Sequence, residues 1–224
     1  MLTVHHLNNS RSQRVLWLLE ELAVPYEIKH YQRDAKTMLA PPELRKVHPL
    51  GKSPVVTDGN ATVAETGAII EYIIARYGEG RLVPKESTAD RLRYIYWLHY
   101  AEGSAMSPLL LKLVFDRIAS SPMPFFAKPV VHTIVKRVMD TFVGPQLKTH
   151  IDYMESEVAR SPWFAGKQFS AADIQMSFPI EVAKQRVGFD ASSRPNLCAF
   201  LERSHKRPAY KRALERGGPY SFAP

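Results

Sequence analysis

At 224 residues the chain is long enough to bury a sizeable core, as one large domain or two small ones. Its 45% apolar and 23% charged residues are typical of a globular protein, and no apolar run approaches the roughly 20 residues that cross a bilayer, so no membrane partner is expected. The net charge of +8 lies entirely beyond residue 80, because residues 1–80 hold nine Lys/Arg and nine Asp/Glu. Part of the excess sits in Arg203–Arg216, where Pro208, Tyr210, Ala213 and Leu214 interrupt it with packing positions. That pattern predicts a solvated helix face and no nucleic-acid partner. A single cysteine, Cys198, excludes an internal disulfide and any Cys-X-X-Cys pair. The opening Met1–Leu7 has no basic region followed by an apolar stretch, so no secretory signal is expected. A cytoplasmic, metal-free protein is the simplest fit.

In chain order, Thr3–His6 reads as a short strand, and Val15, Leu18, Leu19 and Leu22 mark an amphipathic helix beginning near Ser10. Tyr26–Tyr31 alternates as a second strand. Residues 32–47 are polar and broken by Pro41-Pro42, leaving room for one short helix over Glu43–Val47. Pro54 opens a strand or sits on its edge beside Val55-Val56, Asp58-Gly59-Asn60 is a tight turn, and Ala61–Ala64 returns. Ile69, Ile70, Ile73 and Ile74 then follow helical spacing. This β-α-β, β-β-α order is thioredoxin-like, with the first two strands parallel and the last two antiparallel. Gly and Pro cluster in Gly78–Lys85, which predicts a domain over residues 1–79, a linker over 80–87 and a helical domain over 88–224. Ala89–Ile118 is long and aromatic-rich, with a kink expected at Pro108. A Pro/Ser break at 120–124 precedes a second helical region over 125–160, divided at Gly144-Pro145. Ser170 and Asp173 form a capping box before the buried stripe Ile174, Phe178 and Val182. The fold class is therefore an α+β thioredoxin-like domain followed by an all-α domain.

Two loops carry chemistry. Glu65-Thr66-Gly67 stands at a helix start, whose free N–H groups hold a carboxylate. Thr66 adds a hydroxyl and Glu65 an acceptor for an ammonium, the pair of charges on an α-amino acid end. The Ser53-Pro54 bond can be cis and present the preceding backbone to an extended peptide. Asn8–Arg14 joins the first strand to the first helix, where a hydroxyl can donate to a thiolate and lower a thiol's pKa. Ser10 fits that role, or is simply an N-cap.

With its Gly51-Lys52-Ser53-Pro54-Val55 loop, its turn and its Glu65-Thr66 pair, the segment 48–74 resembles the glutathione-binding half of the glutathione S-transferase family. The resemblance runs through nearly the whole chain. Arg14-Val15-Leu16-Trp17 places Ser10 four residues before the Arg, where serine-type members carry the active hydroxyl. The departure is Asn8-Asn9, where many such members have Pro or Gly, so the Asn9 amide is read as sharing the thiolate contact, with Ser12 as a rival. The resemblance implies that Lys52 meets the glycyl carboxylate, that Ser53 and Pro54 pair with the cysteinyl part, and that Glu65 and Thr66 hold the γ-glutamyl end. His48 is a further carboxylate candidate. Glu102 either receives the ammonium across a homodimer interface or caps a buried network. The electrophile site is expected between the domains, among Tyr96, His99, Tyr100, Met106 and Phe115. The implied activity is a cytoplasmic, homodimeric glutathione transferase with a detoxifying role. It uses glutathione as co-substrate against small hydrophobic electrophiles, with peroxide reduction as a related reaction. The alternatives are an isomerase of the maleylacetoacetate type, whose Ser-Ser-Cys signature is replaced here by Asn9-Ser10-Arg11, and a non-catalytic glutathione- or ligand-binding regulator.

Overall fold

The computed structural model describes residues 1–222. Strands β1 (Leu2–Leu7), β2 (Tyr26–Tyr31), β3 (Val55–Asp58) and β4 (Ala61–Ala64) form one sheet in the order β2-β1-β3-β4. β1 and β2 run parallel, with Val4 opposite Ile28, while β3 is antiparallel to both β1 and β4. The parallel pair requires a crossover, supplied by helix α1 (Ser12–Leu22). Helix α2 (Thr66–Tyr77) follows β4 and buries Ile69, Ile70, Ile73 and Ile74, the residues whose spacing predicts it. The segment expected as a short helix near Glu43 is a 3-10 turn over Pro42–Lys46.

The rest is helical: α3 (Ala89–Tyr100), α4 (Met106–Ser120), α5 (Lys128–Val138), α6 (Gly144–Arg160), α7 (Ala171–Val187), α8 (Pro195–His205) and α9 (Pro208–Gly217). Among the described residues, no helix is long and apolar enough to cross a membrane. The kink expected at Pro108 takes another form: α3 passes into α4 through a wider π turn, Ala101–Ala105. A second π turn, Met139–Val143, joins α5 to α6, and α6 begins at Gly144-Pro145, where the division is expected. One physical cause serves both. Proline lacks an N–H and crowds the carbonyl four residues back. For Pro108 and Pro145 those residues are Ser104 and Thr141, each inside a π turn.

One continuous core joins sheet and helices, from Val4, Leu16 and Trp17 through Tyr94 and Trp97 to Phe164, Phe200 and Tyr210. α9 packs along α1, and the basic tail finds its counter-charges there. Arg207 pairs with Glu21, and Arg212 and Arg216 both pair with Glu20. The excess cation charge of Arg203–Arg216 is thus partly spent on closing the C-terminal helix over the first one.

Ser170 and Asp173 form the reciprocal capping box at the start of α7. Asp173 is fully buried; its Oδ2 accepts from Ser170 N at 2.8 Å and its Oδ1 from Phe164 N at 2.7 Å. Losing that carboxylate removes a cap and strands a buried N–H, so Asp173→Ala is expected to cost about 3 kcal/mol, read as a lower urea midpoint at unchanged m-value. On β1, His6 is 3% exposed and its Nδ1 accepts from the Ser12 hydroxyl at 2.9 Å. Burial, helped by the nearby His30, pushes its pKa down to about 4. Burial and Lys29 act the same way on His5. In the unfolded chain these rings take up protons near the usual value of about 6.5. Between pH 6.5 and 4 the unfolded state therefore binds more protons, and stability falls as pH falls through that window. Urea titrations at stepped pH should show the loss, about 3 kcal/mol at most for His6, and His6→Gln should flatten it.

Candidate functional site

The carboxyl-terminal end of β1, the start of β3 and the start of α2 converge on a cavity of about 490 Å³. Leu7 and Arg11 line one side, Lys52, Ser53 and Pro54 the edge of β3, and Glu65 and Thr66 the head of α2. Arg33, Met38, Leu39 and Ala40 come from the loop after β2, His48 and Leu50 from the loop before β3, and Glu102 and Leu110 from the helical half. The Ser53-Pro54 peptide bond is cis, and the Ser53 hydroxyl donates to the His5 carbonyl at 2.9 Å. Glu65 sits at the head of α2 with a left-handed φ of 68°, its carbonyl accepting from Ile69 N. His48 Nδ1 is buried without a protein partner. All six residues read as holding glutathione, namely Lys52, Ser53, Pro54, Glu65, Thr66 and Glu102, therefore line one cavity, with His48 beside them.

Glu102 is engaged within its own chain. Its carboxylate accepts from Arg11 Nε at 2.9 Å and from Arg14 Nη2 at 2.5 Å. Arg14, whose side chain is 1% exposed, also donates to the Gln175 carbonyl at 2.6 Å and to Thr66 Oγ1 at 3.3 Å. Burial pushes the Arg14 pKa down and the Glu102 charge opposes it, while Arg14 and Arg11 hold the Glu102 carboxyl below its usual range. Both guanidinium groups also face the Phe178 ring, at 5.2 and 5.1 Å. Glu102 is therefore the centre of a partly buried ion-pair network that joins the start of α1 to the turn after α3.

Ser10 and Asn9 are not among the residues that line the cavity. α1 begins at Ser12, and Ser10, 4% exposed, turns its hydroxyl inward. It accepts from Ser12 N at 3.2 Å and lies 2.7 Å from the Ser12 hydroxyl, which continues to His6. The two hydroxyls share one hydrogen bond that either can donate, and Ser10 does not line the cavity. Asn9 does not line it either: its Oδ1 accepts from Ser221 N at 2.7 Å. That C-terminal strap is held down by Tyr220, whose hydroxyl donates to the buried Glu181 at 2.7 Å, next to Tyr210 and His205 on the same carboxylate.

Nor do Tyr96, His99, Tyr100, Met106 and Phe115 line the cavity. Tyr100 and Met106 are buried, and the Tyr100 hydroxyl meets His150 Nδ1 at 2.6 Å. Tyr96 stacks on Tyr100 in a cluster with Trp97 and Tyr153. Tyr96, His99 and Tyr100 lie on α3, before the π turn, and Met106 and Phe115 lie beyond it. The apolar wall is Leu110 with Met38, Leu39 and Leu50. Sequence reasoning also missed Arg11 and Arg33. Arg11 carries a signal, being the only cation between the expected thiolate residue and the helix.

The model of the glutathione S-transferase N-terminal domain matches residues 1–75, and that of the C-terminal domain matches residues 135–208. The chain is 37% identical over 217 residues to glutathione S-transferase 3 of Schizosaccharomyces pombe, covering 96% of this chain and 88% of that one. It is 31% identical over 225 residues to glutathione S-transferase 1 of Saccharomyces cerevisiae, covering 96% and 95%. A solved glutathione S-transferase from Actinobacillus pleuropneumoniae superposes with a TM-score of 0.83 at 33% identity, over 99% of this chain and 95% of that one. At 20% identity, a glutathione transferase from Phanerochaete chrysosporium, solved with oxidized glutathione, shares the fold with a TM-score of 0.75 over 96% and 94%. With both domain models matched and relatives aligned along nearly its whole length, the chain belongs to the glutathione S-transferase family.

Proposed function

We propose that the cavity binds reduced glutathione and that the chain uses its thiolate to attack small hydrophobic electrophiles. The observation that carries this reading is the charge layout of one cavity, lined by an acid at the head of α2, Glu65, by the Lys52 cation and by the His48 imidazole, with the Ser53-Pro54 edge among them. That is the layout of a γ-glutamyl peptide, with its ammonium at Glu65, its α-carboxylate at Thr66 and the start of α2, and its glycyl carboxylate at Lys52 and His48. Leu110, Met38, Leu39 and Leu50 supply the apolar wall for the second substrate.

The thiolate then sits over the start of α1. Arg11 is the cation there, and the cluster of Arg11, Arg14 and Glu102 carries two positive charges against one negative, so an anion beside it is favoured. Ser10 shapes the turn rather than donating into the cavity, and Asn9 holds the turn against the C-terminal strap. The same thiolate suits peroxide reduction. A cytoplasmic setting, where thiols are kept reduced, fits this co-substrate and a detoxifying role.

A homodimer is part of the proposal. Leu92, Ile95 and Tyr96 stand 71%, 41% and 46% exposed along the outer face of α3, a patch that a second copy would cover. Leu92→Glu is then expected to shift the protein to monomer in size-exclusion chromatography with light scattering.

Conjugation of chlorodinitrobenzene tests the site. Ser10→Ala should lose less than about tenfold in kcat/KM, the value of one neutral hydrogen bond, while Arg11→Ala should lose more than tenfold and move the acidic limb of the pH–rate profile upward. Glu65→Gln should raise the KM for glutathione. A dead Ser10→Ala beside an active Arg11→Ala would return the thiolate contact to Ser10.

A further inference from the structure

Glutathione, placed as proposed above, accounts for the cavity's charged groups one by one and leaves a single cation over. Lys52 and His48 take the glycyl carboxylate, Glu65 takes the ammonium, and the thiolate takes the one positive charge that Arg11 and Arg14 hold in excess of Glu102. Arg33 remains. Its guanidinium donates to three backbone carbonyls, of Asn8 at 3.2 Å, Met38 at 3.1 Å and Asn9 at 3.4 Å. Among the described residues it has no carboxylate partner. The adjacent Asp34 spends its Oδ1 on Lys36 N, Thr37 N and the Thr37 hydroxyl. Burial works against the Arg33 charge, and so do Arg11 and Arg117 nearby. A half-buried guanidinium whose side-chain hydrogen bonds all go to neutral carbonyls keeps its charge free for an anion in the cavity.

Its placement says which anion. The bonds to Asn8 and Asn9 pin Arg33 beside the turn that precedes α1, on the thiolate's side of the cavity, and the bond to Met38 ties it to the apolar wall. We propose that Arg33 is a specificity-determining residue that receives a carboxylate carried by the second substrate, so that this enzyme prefers apolar electrophiles bearing a carboxylate over their neutral counterparts. The proposal rests on the glutathione reading of the cavity. In the reaction the glutathione sulfur forms the new S–C bond with its own electron pair, and the leaving group departs with the pair of the bond it breaks. The carboxylate takes no part in bond making and is held by the guanidinium fork.

An isosteric pair of substrates decides it, 4-chloro-3-nitrobenzoate and 4-chloro-3-nitrobenzamide, with each kcat/KM divided by the uncatalysed rate constant for glutathione because the carboxamide activates the ring more than the carboxylate does. The wild type is expected to show a kcat/KM ratio of at least ten in favour of the benzoate. In Arg33→Gln that ratio should fall to near one, and in Arg33→Lys, which keeps the charge, it should stay well above one. Binding of the two products, S-(4-carboxy-2-nitrophenyl)glutathione and its carboxamide, should show the same preference by calorimetry. A wild-type ratio near one in rate and binding would overturn the proposal, as would equal losses on both substrates in Arg33→Gln, the mark of a mere loop clamp. Glutathione and product binding without turnover would instead defeat the transferase reading, and the two products would still decide the charge preference.

Discussion

A guanidinium withdrawn from water must be surrounded by acceptors, and Arg14 is the place in this molecule where that requirement is most severe. Its partners come from the head of α2, from the π turn after α3 and from the backbone of α7. None of them is near Arg14 in sequence, so satisfying one side chain sets the sheet-bearing half against the helical half. The carboxylate that neutralises it, Glu102, also holds Arg11 at the cavity wall. One acidic residue on the helical side thereby controls both the seating of the two halves and the cation beside the proposed thiolate. The arrangement couples fold and site so tightly that neither can be altered independently at these positions.

The elements written in short, local stretches are legible in the sequence. The two parallel strands, the hairpin at Asp58-Gly59-Asn60, the isoleucine face of α2 and the Ser170–Asp173 box all depend on a few neighbouring residues, and all appear where the pattern puts them. The residues that line the cavity from the sheet side are legible for the same reason, since a strand edge and a helix head fix their directions. The helical wall is not. Helical spacing marks Tyr96 and Tyr100 as one stripe on α3 but does not say which surface that stripe meets, and in the fold the two rings stack on each other outside the cavity lining.

Ser10 illustrates a different limit. Its spacing from Arg14 is as the family resemblance requires, yet where its proton goes is decided by competition with Ser12 and His6, which no spacing reports. Arg33, inside Gln32-Arg33-Asp34, looks like an ordinary solvated charge; only the folded loop shows that it is surrounded by carbonyls. The basic tail falls between these cases. The adjacent Glu20-Glu21 at the end of α1 is an obvious counterpart for Arg207, Arg212 and Arg216, but only the antiparallel packing of α9 on α1 brings them together.

The strap that ties Ser221 to Asn9 has a consequence in time as well as in space. A ribosome delivers the sheet and α1 first, and domains begin to fold as they emerge. The turn beside the cavity, however, receives its last hydrogen bond from the very end of the described chain, and Glu20 and Glu21 wait equally long for the arginines of α9. A nascent or prematurely terminated chain can therefore carry every residue that lines the cavity and still lack the contacts that hold its first turn. The turn beside the cavity is thus completed only after Ser221, 212 residues beyond Asn9, has been made.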